Sequence, residues 1–551
     1  MCASTSGSKT APEGPCALHG AIRRARSWAA SLIFVAVVFG PLVALFAQTA
    51  ASARAGDLGD ASSLLLGDRQ AVLLGRSIGL AAGTALAALL VGIAIATVLW
   101  GWRRPPWSHL RWLAVVLVPV PPYIHGMAWM HASAAFSRLM AARGLAPLPF
   151  RGWGAAWLVG TMSQLPLAVG LALVGLEMVD PSQFEAARLL APDVQALSDI
   201  ALPLAAPFLA AGGALLFILG LTDYGLPSLF AVNTYAMEPF AEYSATSEPA
   251  RAFALSLPLL VLACVAVFYL QRALRDAAST RARGQRSAGV ALSWPAGLRA
   301  IHLGALLTLA VHIAVPAVAL ATVIESPSGW LETLRLARGE ISLTARICLI
   351  TSVLSLPLAL IAAERMRATG SAGRTWRVLV GLPLAVPASL VGVGLISLRQ
   401  HVLPPALTDG SSLLVLAALA RFAPYAALVL LAQMRRQDPL LFDAARVMQT
   451  SPWQGWWQVR LPLLAPGLLA AGCIVFALTA GELGATLALA PPGHATITMR
   501  IYTYLHYGAT DEVAGLCLAM VLLAAVAGGA AALALARGPR RPPRGGGRSD
   551  D

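Results

Sequence analysis

The feature that most constrains this chain is a series of apolar blocks, each about as long as a bilayer-crossing helix. A helix needs about 20 apolar residues to cross about 30 Å of hydrocarbon. Blocks of this length lie near residues 29–50, 78–100, 111–131, 153–178, 203–231, 252–271, 300–323, 344–363, 376–398, 412–434, 462–490 and 513–536. The sequence therefore predicts an all-α polytopic membrane protein with about 12 transmembrane helices.

The composition agrees with a location in the bilayer. Only 12% of the 551 residues are charged and 58% are hydrophobic, whereas soluble domains are about 25% charged. The loops left between the crossings are too short for a large soluble catalytic or binding domain. The net charge of +14 comes almost entirely from arginines spread between the apolar blocks. A nucleic-acid-binding domain would cluster them on one face, so we expect contact with membrane lipid and not with nucleic acid.

The distribution of arginines predicts the topology. Loops on the side that carries both termini hold more than twice as many arginines as the loops on the other side. Because cytoplasmic loops are enriched in Lys and Arg, both termini are predicted to be cytoplasmic. The chain then divides into a polar tail (1–28), a first six-helix unit (29–271), a basic linker (272–299), a second six-helix unit (300–536) and a basic tail (537–551).

The two six-helix units contain the same loop at the same place. Residues 180–188 read Asp-Pro-Ser-Gln-Phe-Glu-Ala-Ala-Arg, and residues 438–446 read Asp-Pro-Leu-Leu-Phe-Asp-Ala-Ala-Arg. At an offset of 259 residues, Asp223 matches Glu482 and Gly225 matches Gly484. At an offset of 266 residues, Pro121 matches Pro387 and Gly126 matches Gly392. Since each unit has an even number of crossings, the two repeats are parallel and related by an axis along the membrane normal.

The repeated loop is predicted to open with a short helix. Asp180 and Asp438 are good N-cap residues, and Pro181 and Pro439 suit the first helical position. A simple interfacial anchor would also explain one such helix, but it does not require the same residues twice. The side chains that we expect to contact a partner protein are Phe184, Glu185, Ala186, Ala187 and Arg188 in the first copy, and Phe442, Asp443, Ala444, Ala445 and Arg446 in the second.

These loops resemble the EAA loop of ATP-binding-cassette importer permeases. We refer to residues 180–203 as the first EAA loop and to residues 438–462 as the second. The match consists of Glu-Ala-Ala at 185–187 and Asp-Ala-Ala at 443–445, each followed by the Leu-Pro that ends its loop. The glycine of the family pattern is replaced by Ala191 and Gln449, which bears on the local turn geometry.

The resemblance implies a transport subunit of the bacterial inner membrane, coupled to other proteins. In that family the EAA loop docks on a cytoplasmic ATPase, so two loops imply two ATPase subunits, expected as a homodimer. A P-loop requires Gly-Lys-[Ser/Thr], and the only lysine, Lys9, follows Ser8. ATP hydrolysis is therefore expected in a separate subunit, and the chain itself is predicted to be no enzyme and to hold no cofactor or metal. A periplasmic or lipid-anchored solute-binding protein is also implied.

The matched pairs Asp223 with Glu482 and Gly225 with Gly484 are candidates for the translocation path. Intramembrane carboxylates are costly and face the bundle interior or water, and here they would suit a cationic solute. The alternative is that they are helix-end carboxylates bonded to nearby backbone. Arg421 lies deep in the tenth block, and the sequence does not identify its partner.

The substrate is the least constrained property of the sequence. This chain resembles the fused twelve-helix permeases of ferric-iron importers, through residues 221–225, 481–486 and 500–508, so ferric iron is the solute that the resemblance favours. Thiamine, phosphonate or another small solute remains open. A secondary transporter driven by an ion gradient is the rival class, but it would need matched ionisable residues within its spans, and inverted repeats are common there.

Overall fold

The computed structural model describes residues 15–56, 67–101, 116–147, 149–279, 294–323, 327–407, 411–437, 447, 451–490, 493–507 and 510–536. The regular structure within these residues is helical. Ten of the helices are long and apolar enough to cross a membrane, or eleven if one sharply bent pair counts as a span. The predicted all-α polytopic fold is thereby confirmed.

The first half of the chain contains ten helices in the described ranges. They are α1 (Pro15–Ala55), α2 (Asp68–Gly101), α3 (Pro122–Ala142), α4 (Trp153–Glu177), α5 (Pro181–Leu190), α6 (Asp193–Ala196), α7 (Leu202–Thr222), α8 (Gly225–Leu229), α9 (Glu238–Thr246) and α10 (Pro249–Ser279). A π-helical segment, Leu197–Ala201, joins α6 to α7 without a break.

The second half contributes eleven helices to the same description. They are α11 (Ala296–Val323), α12 (Pro327–Leu336), α13 (Arg338–Arg367), α14 (Gly370–Gly381), α15 (Ala388–His401), α16 (Ser412–Arg436), α17 (Pro452–Gly455), α18 (Leu461–Ala480), α19 (Gly484–Leu489), α20 (Ile497–Tyr507) and α21 (Thr510–Ala536). A π-helical segment, Trp456–Arg460, lies 259 residues after its counterpart in the first half.

The third apolar block of the second half, predicted as one span, is not one continuous helix. In the second half, α14 and α15 meet at an angle of 101°, with Pro387 as the N-cap residue of α15. In the first half, α3 begins after Pro121, although residues 111–131 were predicted to form one span; residues 102–115 lie outside the described part of the chain. Proline lacks an N–H and disfavours helical geometry in the residue before it, which explains why the second-half block bends before Ala388.

The first long helix of each half packs on the opposite half. Helix α1 contacts α13 and α15 of the second half, and α11 contacts the corresponding helices α2 and α3 of the first half. The approach is close, because a Cβ added at Gly394 of α15 would lie 2.5 Å from the carbonyl oxygen of Pro41 in α1. This reciprocal exchange ties the two halves into one bundle.

Equivalent contacts recur inside the two halves. A Cβ added at Gly126 would lie 2.8 Å from Leu229, and one added at Gly392 would lie 2.8 Å from Ala488. Leu229 and Ala488 are 259 residues apart, the offset of the sequence repeat. The halves are thus parallel copies in packing as well as in sequence.

Candidate functional site

The helix of the first EAA loop, α5, begins as the sequence predicted. Asp180 is its N-cap residue, and the Asp180 carboxylate accepts a hydrogen bond from the backbone N–H of Ser182 at 2.9 Å. Pro181 occupies the first turn, where its missing N–H costs no hydrogen bond. The polypeptide at 180–182 therefore fixes where this helix starts.

Two side chains of α5 fasten it to the bundle. Phe184 is only 1% exposed and meets Trp100 at the end of α2 edge-on, with ring centroids 4.9 Å apart. Arg188 Nε donates to Asp193 Oδ1 at 2.5 Å, and Asp193 is buried. The sequence grouped both residues with those expected to contact a partner, whereas the structure places them against the rest of this chain. They hold the helix in position.

Two of the three remaining predicted contact residues of α5 lie on its open side. Glu185 and Ala186 are exposed and Ala187 is partly buried. Just beyond them, the side chains of Leu189 and Leu190 are 87% and 91% exposed. A short helix with a buried aromatic anchor therefore presents a carboxylate, a small residue and two leucines outward.

The second EAA loop is described only in part. Its predicted contact residues Phe442, Asp443, Ala444, Ala445 and Arg446 lie outside the described residues. The flanking structure is closely tied to the bundle. Gln437 Nε2 donates to the carbonyl of Leu463 at 2.8 Å, and Arg460 pairs with Glu364 at 3.3 Å.

The two matched carboxylates lie at matched breaks between helices. Asp223 separates α7 from α8, and its Oδ1 accepts a hydrogen bond from the N–H of Gly225 at 2.9 Å. Glu482 separates α18 from α19, and its Oε1 accepts one from the N–H of Ala485 at 2.9 Å. Each carboxylate thus accepts a hydrogen bond from an N–H group in the first turn of the short helix that follows it. This arrangement, a helix-end carboxylate bonded to nearby backbone, is the alternative to a role in the path that the sequence left open.

Arg421, whose partner the sequence does not identify, pairs with a carboxylate in the structure. Its guanidinium pairs with Oε2 of Glu482 and interacts electrostatically with Asp223 and Tyr224 of the first half. These four residues, Asp223, Tyr224, Arg421 and Glu482, form what we call the seam cluster. The negative charge of Glu482 is offset by Arg421, so the two carboxylates are not a free acidic pair.

Gly225 and Gly484, the two glycines predicted to line the translocation path, differ in their surroundings. A Cβ at Gly484 would lie 2.5 Å from Cβ of Ala388 and 3.3 Å from the ring of Tyr224. A Cβ at Gly225 would meet only the carboxylate of Asp223, at 3.5 Å. Gly484 therefore allows the first half to approach the second at the seam cluster.

A cavity of about 20 Å³ adjoins Glu482 within the second half. Its polar lining consists of Glu482, Thr344, Thr479, Thr486, Thr496 and Thr498. At the offset of 259 residues, Thr479 and Thr486 match Gly220 and Pro227. Two of the hydroxyls that line this cavity are therefore absent from the matched positions of the first half.

Metal ligands were not predicted for this chain. Within the described ranges, no group of three or more His, Cys, Asp or Glu side chains is arranged to hold a metal ion.

Comparison with known proteins shows that the chain is similar to transport proteins. Residues 355–540 match the family model described as binding-protein-dependent transport system inner membrane component. A molybdenum transport system permease protein of Mycobacterium tuberculosis strain H37Rv is 29% identical over 247 residues, which cover 42% of this chain and 90% of that protein.

Two further relatives have other named solutes. A putative 2-aminoethylphosphonate transport system permease protein of Salmonella typhimurium is 29% identical over 185 residues, covering 33% of this chain and 68% of that protein. A putrescine transport system permease protein of Escherichia coli strain K12 is 24% identical over 191 residues, covering 34% of this chain and 66% of that protein.

Proposed function

We propose that this chain, which belongs to the family of inner membrane components of binding-protein-dependent transport systems, forms the whole translocation path of an importer driven by separate ATPase subunits. The observation that carries the proposal is α5, with its buried Phe184 and its exposed Glu185, Leu189 and Leu190. Such a helix is held rigidly by the bundle and is open to a partner on its other side.

The packing of α5 provides a route for force into the bundle. Phe184 belongs to a buried cluster that includes Leu99 of α2, Leu176 of α4 and Leu209 of α7. The Arg188–Asp193 ion pair adds a second link, to α6. Because close-packed interiors transmit displacement, a partner that moves α5 would move the cytoplasmic ends of three membrane helices together.

The partners follow from the family and from the two EAA loops. We propose that two cytoplasmic ATPase subunits, as a homodimer, dock on the two loops. A periplasmic or lipid-anchored binding protein would deliver the solute on the opposite side. This arrangement requires both termini to be cytoplasmic in a bacterial inner membrane.

The solute we propose is small and polar, as in the named relatives. Those relatives are named for molybdenum, 2-aminoethylphosphonate and putrescine. Ferric iron, which the sequence favoured, has no counterpart among these three. The uptake of each of the four solutes should be measured in cells that express the complete transporter, with the other three as unlabelled competitors. The solute that is taken up and that competes best identifies the substrate among these candidates.

The docking proposal is tested by charge reversal in both loops. Glu185→Lys combined with Asp443→Lys should abolish co-purification of the ATPase with the membrane protein, because each replacement puts a cation where the partner meets a carboxylate. Glu332→Lys is the matched control, since Glu332 is also exposed, at 61% of its side chain, but lies on α12 away from both loops.

The control should retain the ATPase. If the doubly reversed protein also retains it, the EAA loops do not provide the docking surface and the proposed coupling is refuted.

A further inference from the structure

Arg421 breaks the repeat at the point where the two halves meet. Pro424 in α16 matches Pro166 in α4 at the offset of 258 residues, so the position that corresponds to Arg421 is Ser163. A charged residue inside a membrane bundle is costly and faces the bundle interior or an aqueous path. The arginine therefore marks a function that only one half performs.

We propose that Arg421 binds the anionic oxygen group of the transported solute, and that Glu482 occupies the same position as a resident counter-ion until the solute arrives. This inference rests on the proposed transport function and adds the substrate class, an oxyanion. It assigns one cation to the seam between the halves, where a solute passing along the axis of the bundle would meet it.

The ion pair shows that the guanidinium of Arg421 can hold an anionic oxygen at the seam. The planar guanidinium of arginine matches the spacing of carboxylate and phosphate oxygens and stays charged at any working pH. In the structure, the group it holds is the carboxylate of Glu482. A solute with a carboxylate, phosphonate or tetrahedral oxyanion group offers an anionic oxygen of the same kind as Oε2 of Glu482.

The surroundings of Glu482 allow its carboxylate to be replaced. Its Oε1 already accepts the N–H of Ala485, so the side chain retains a donor when Arg421 is taken by another anion. The cavity behind it contains the buried hydroxyl of Thr479, which has no hydrogen-bond partner among the described residues. That hydroxyl can donate to the carboxylate after it leaves Arg421.

A cationic solute fits this site less well. Asp223 is engaged by the N–H of Gly225, and Glu482 is neutralised by Arg421. A cation would have to displace the guanidinium, which remains charged beside it. In the low-dielectric interior, repulsion between like charges is only weakly screened.

The experiment measures direct binding to the full chain in lipid nanodiscs, without partner proteins. Sodium molybdate and 2-aminoethylphosphonate are the oxyanion probes, and putrescine is the cation probe, each titrated in a buffer of low chloride concentration. Glu482→Gln should bind at least one oxyanion probe at least tenfold more tightly than the unmodified protein, because the competing carboxylate has been removed. Adding Arg421→Gln to that variant should abolish the gain.

A matched control removes a different ion pair of the same half. Arg500 pairs with Glu340 at 2.6 Å, between α20 and α13. Glu340→Gln should leave the affinity for both oxyanions unchanged. If Glu482→Gln is not recovered folded, Glu482→Asp serves instead, because its shorter side chain weakens the pairing and should also tighten oxyanion binding.

The proposal is overturned if the Glu482 variant that folds binds neither oxyanion more tightly than the unmodified chain, or if putrescine shows the gain instead. Co-purification of the ATPase with the same variants separates this failure from failure of the transport function. A chain that retains its ATPase but gains no oxyanion affinity would still be a permease, with Arg421 as a structural ion-pair residue.

Discussion

Phe184→Ala should release α5 from the bundle without unfolding the protein. The side chain is 1% exposed and packs edge-on against Trp100. Truncating a buried phenylalanine to alanine costs about 3–5 kcal/mol, of which the aromatic pair accounts for about 0.5–1.5 kcal/mol. A loss of about 3 kcal/mol lowers the ratio of docked to undocked α5 by about 100-fold.

Hydrogen exchange of the backbone amides in α5 measures that ratio directly. In the purified chain in nanodiscs, the backbone amides of residues 182–190 in α5 should lose about 100-fold in protection, while those of α4 should change little. In the complete transporter, ATP hydrolysis should persist while solute uptake falls, because α5 would then move without moving the rest of the bundle.

Leu189→Ala is the matched control, since Leu189 lies on the same helix but is 87% exposed. It should leave hydrogen exchange in α5 of the isolated chain unchanged. Unaltered protection of α5 in Phe184→Ala would show that the helix is held by other contacts, and the argument for Phe184 as its anchor would be wrong.

Two further substitutions test the packing of the halves and the start of the EAA helix. Gly394→Ala should lower the melting temperature of the purified chain, because the new Cβ would lie 2.5 Å from the carbonyl oxygen of Pro41, whereas Gly339→Ala, with no heavy atom within 4 Å, should not. Equal melting temperatures for the two variants would contradict the close approach of α1 and α15. Asp180→Ala should destabilise α5 by about 0.5–2 kcal/mol through loss of its N-cap, seen as faster exchange of the Ser182 amide, and Asp180→Asn should restore most of the protection.

The sequence was sufficient for the features that depend on local pattern. Span-length apolar blocks predicted the helical membrane fold, because a buried backbone in lipid must satisfy its hydrogen bonds within each helix. Matching residues at fixed offsets predicted the parallel repeat. The Asp-Pro pair at 180–181 predicted the start of α5, because an N-cap acts within a few residues of itself.

The sequence was less informative where a proline interrupts an apolar block. The third block of each half was predicted to cross the bilayer as one helix, yet the second-half copy bends by 101° before Ala388. Apolar length reports that a segment is buried in the membrane, but it does not report whether the helix continues through a proline. That outcome depends on which neighbouring groups satisfy the freed backbone.

By itself, then, the sequence determined the kind of the elements, their duplication and the family of transporters they resemble. Only the tertiary structure decided that α1 and α11 each pack on helices of the opposite half, that Phe184 faces the bundle, and that Arg421 pairs with Glu482. Each of these depends on contacts between residues far apart in the chain. Hydrophobic periodicity and capping describe a residue's near neighbours, whereas the partner of a buried charge is set by how whole helices pack.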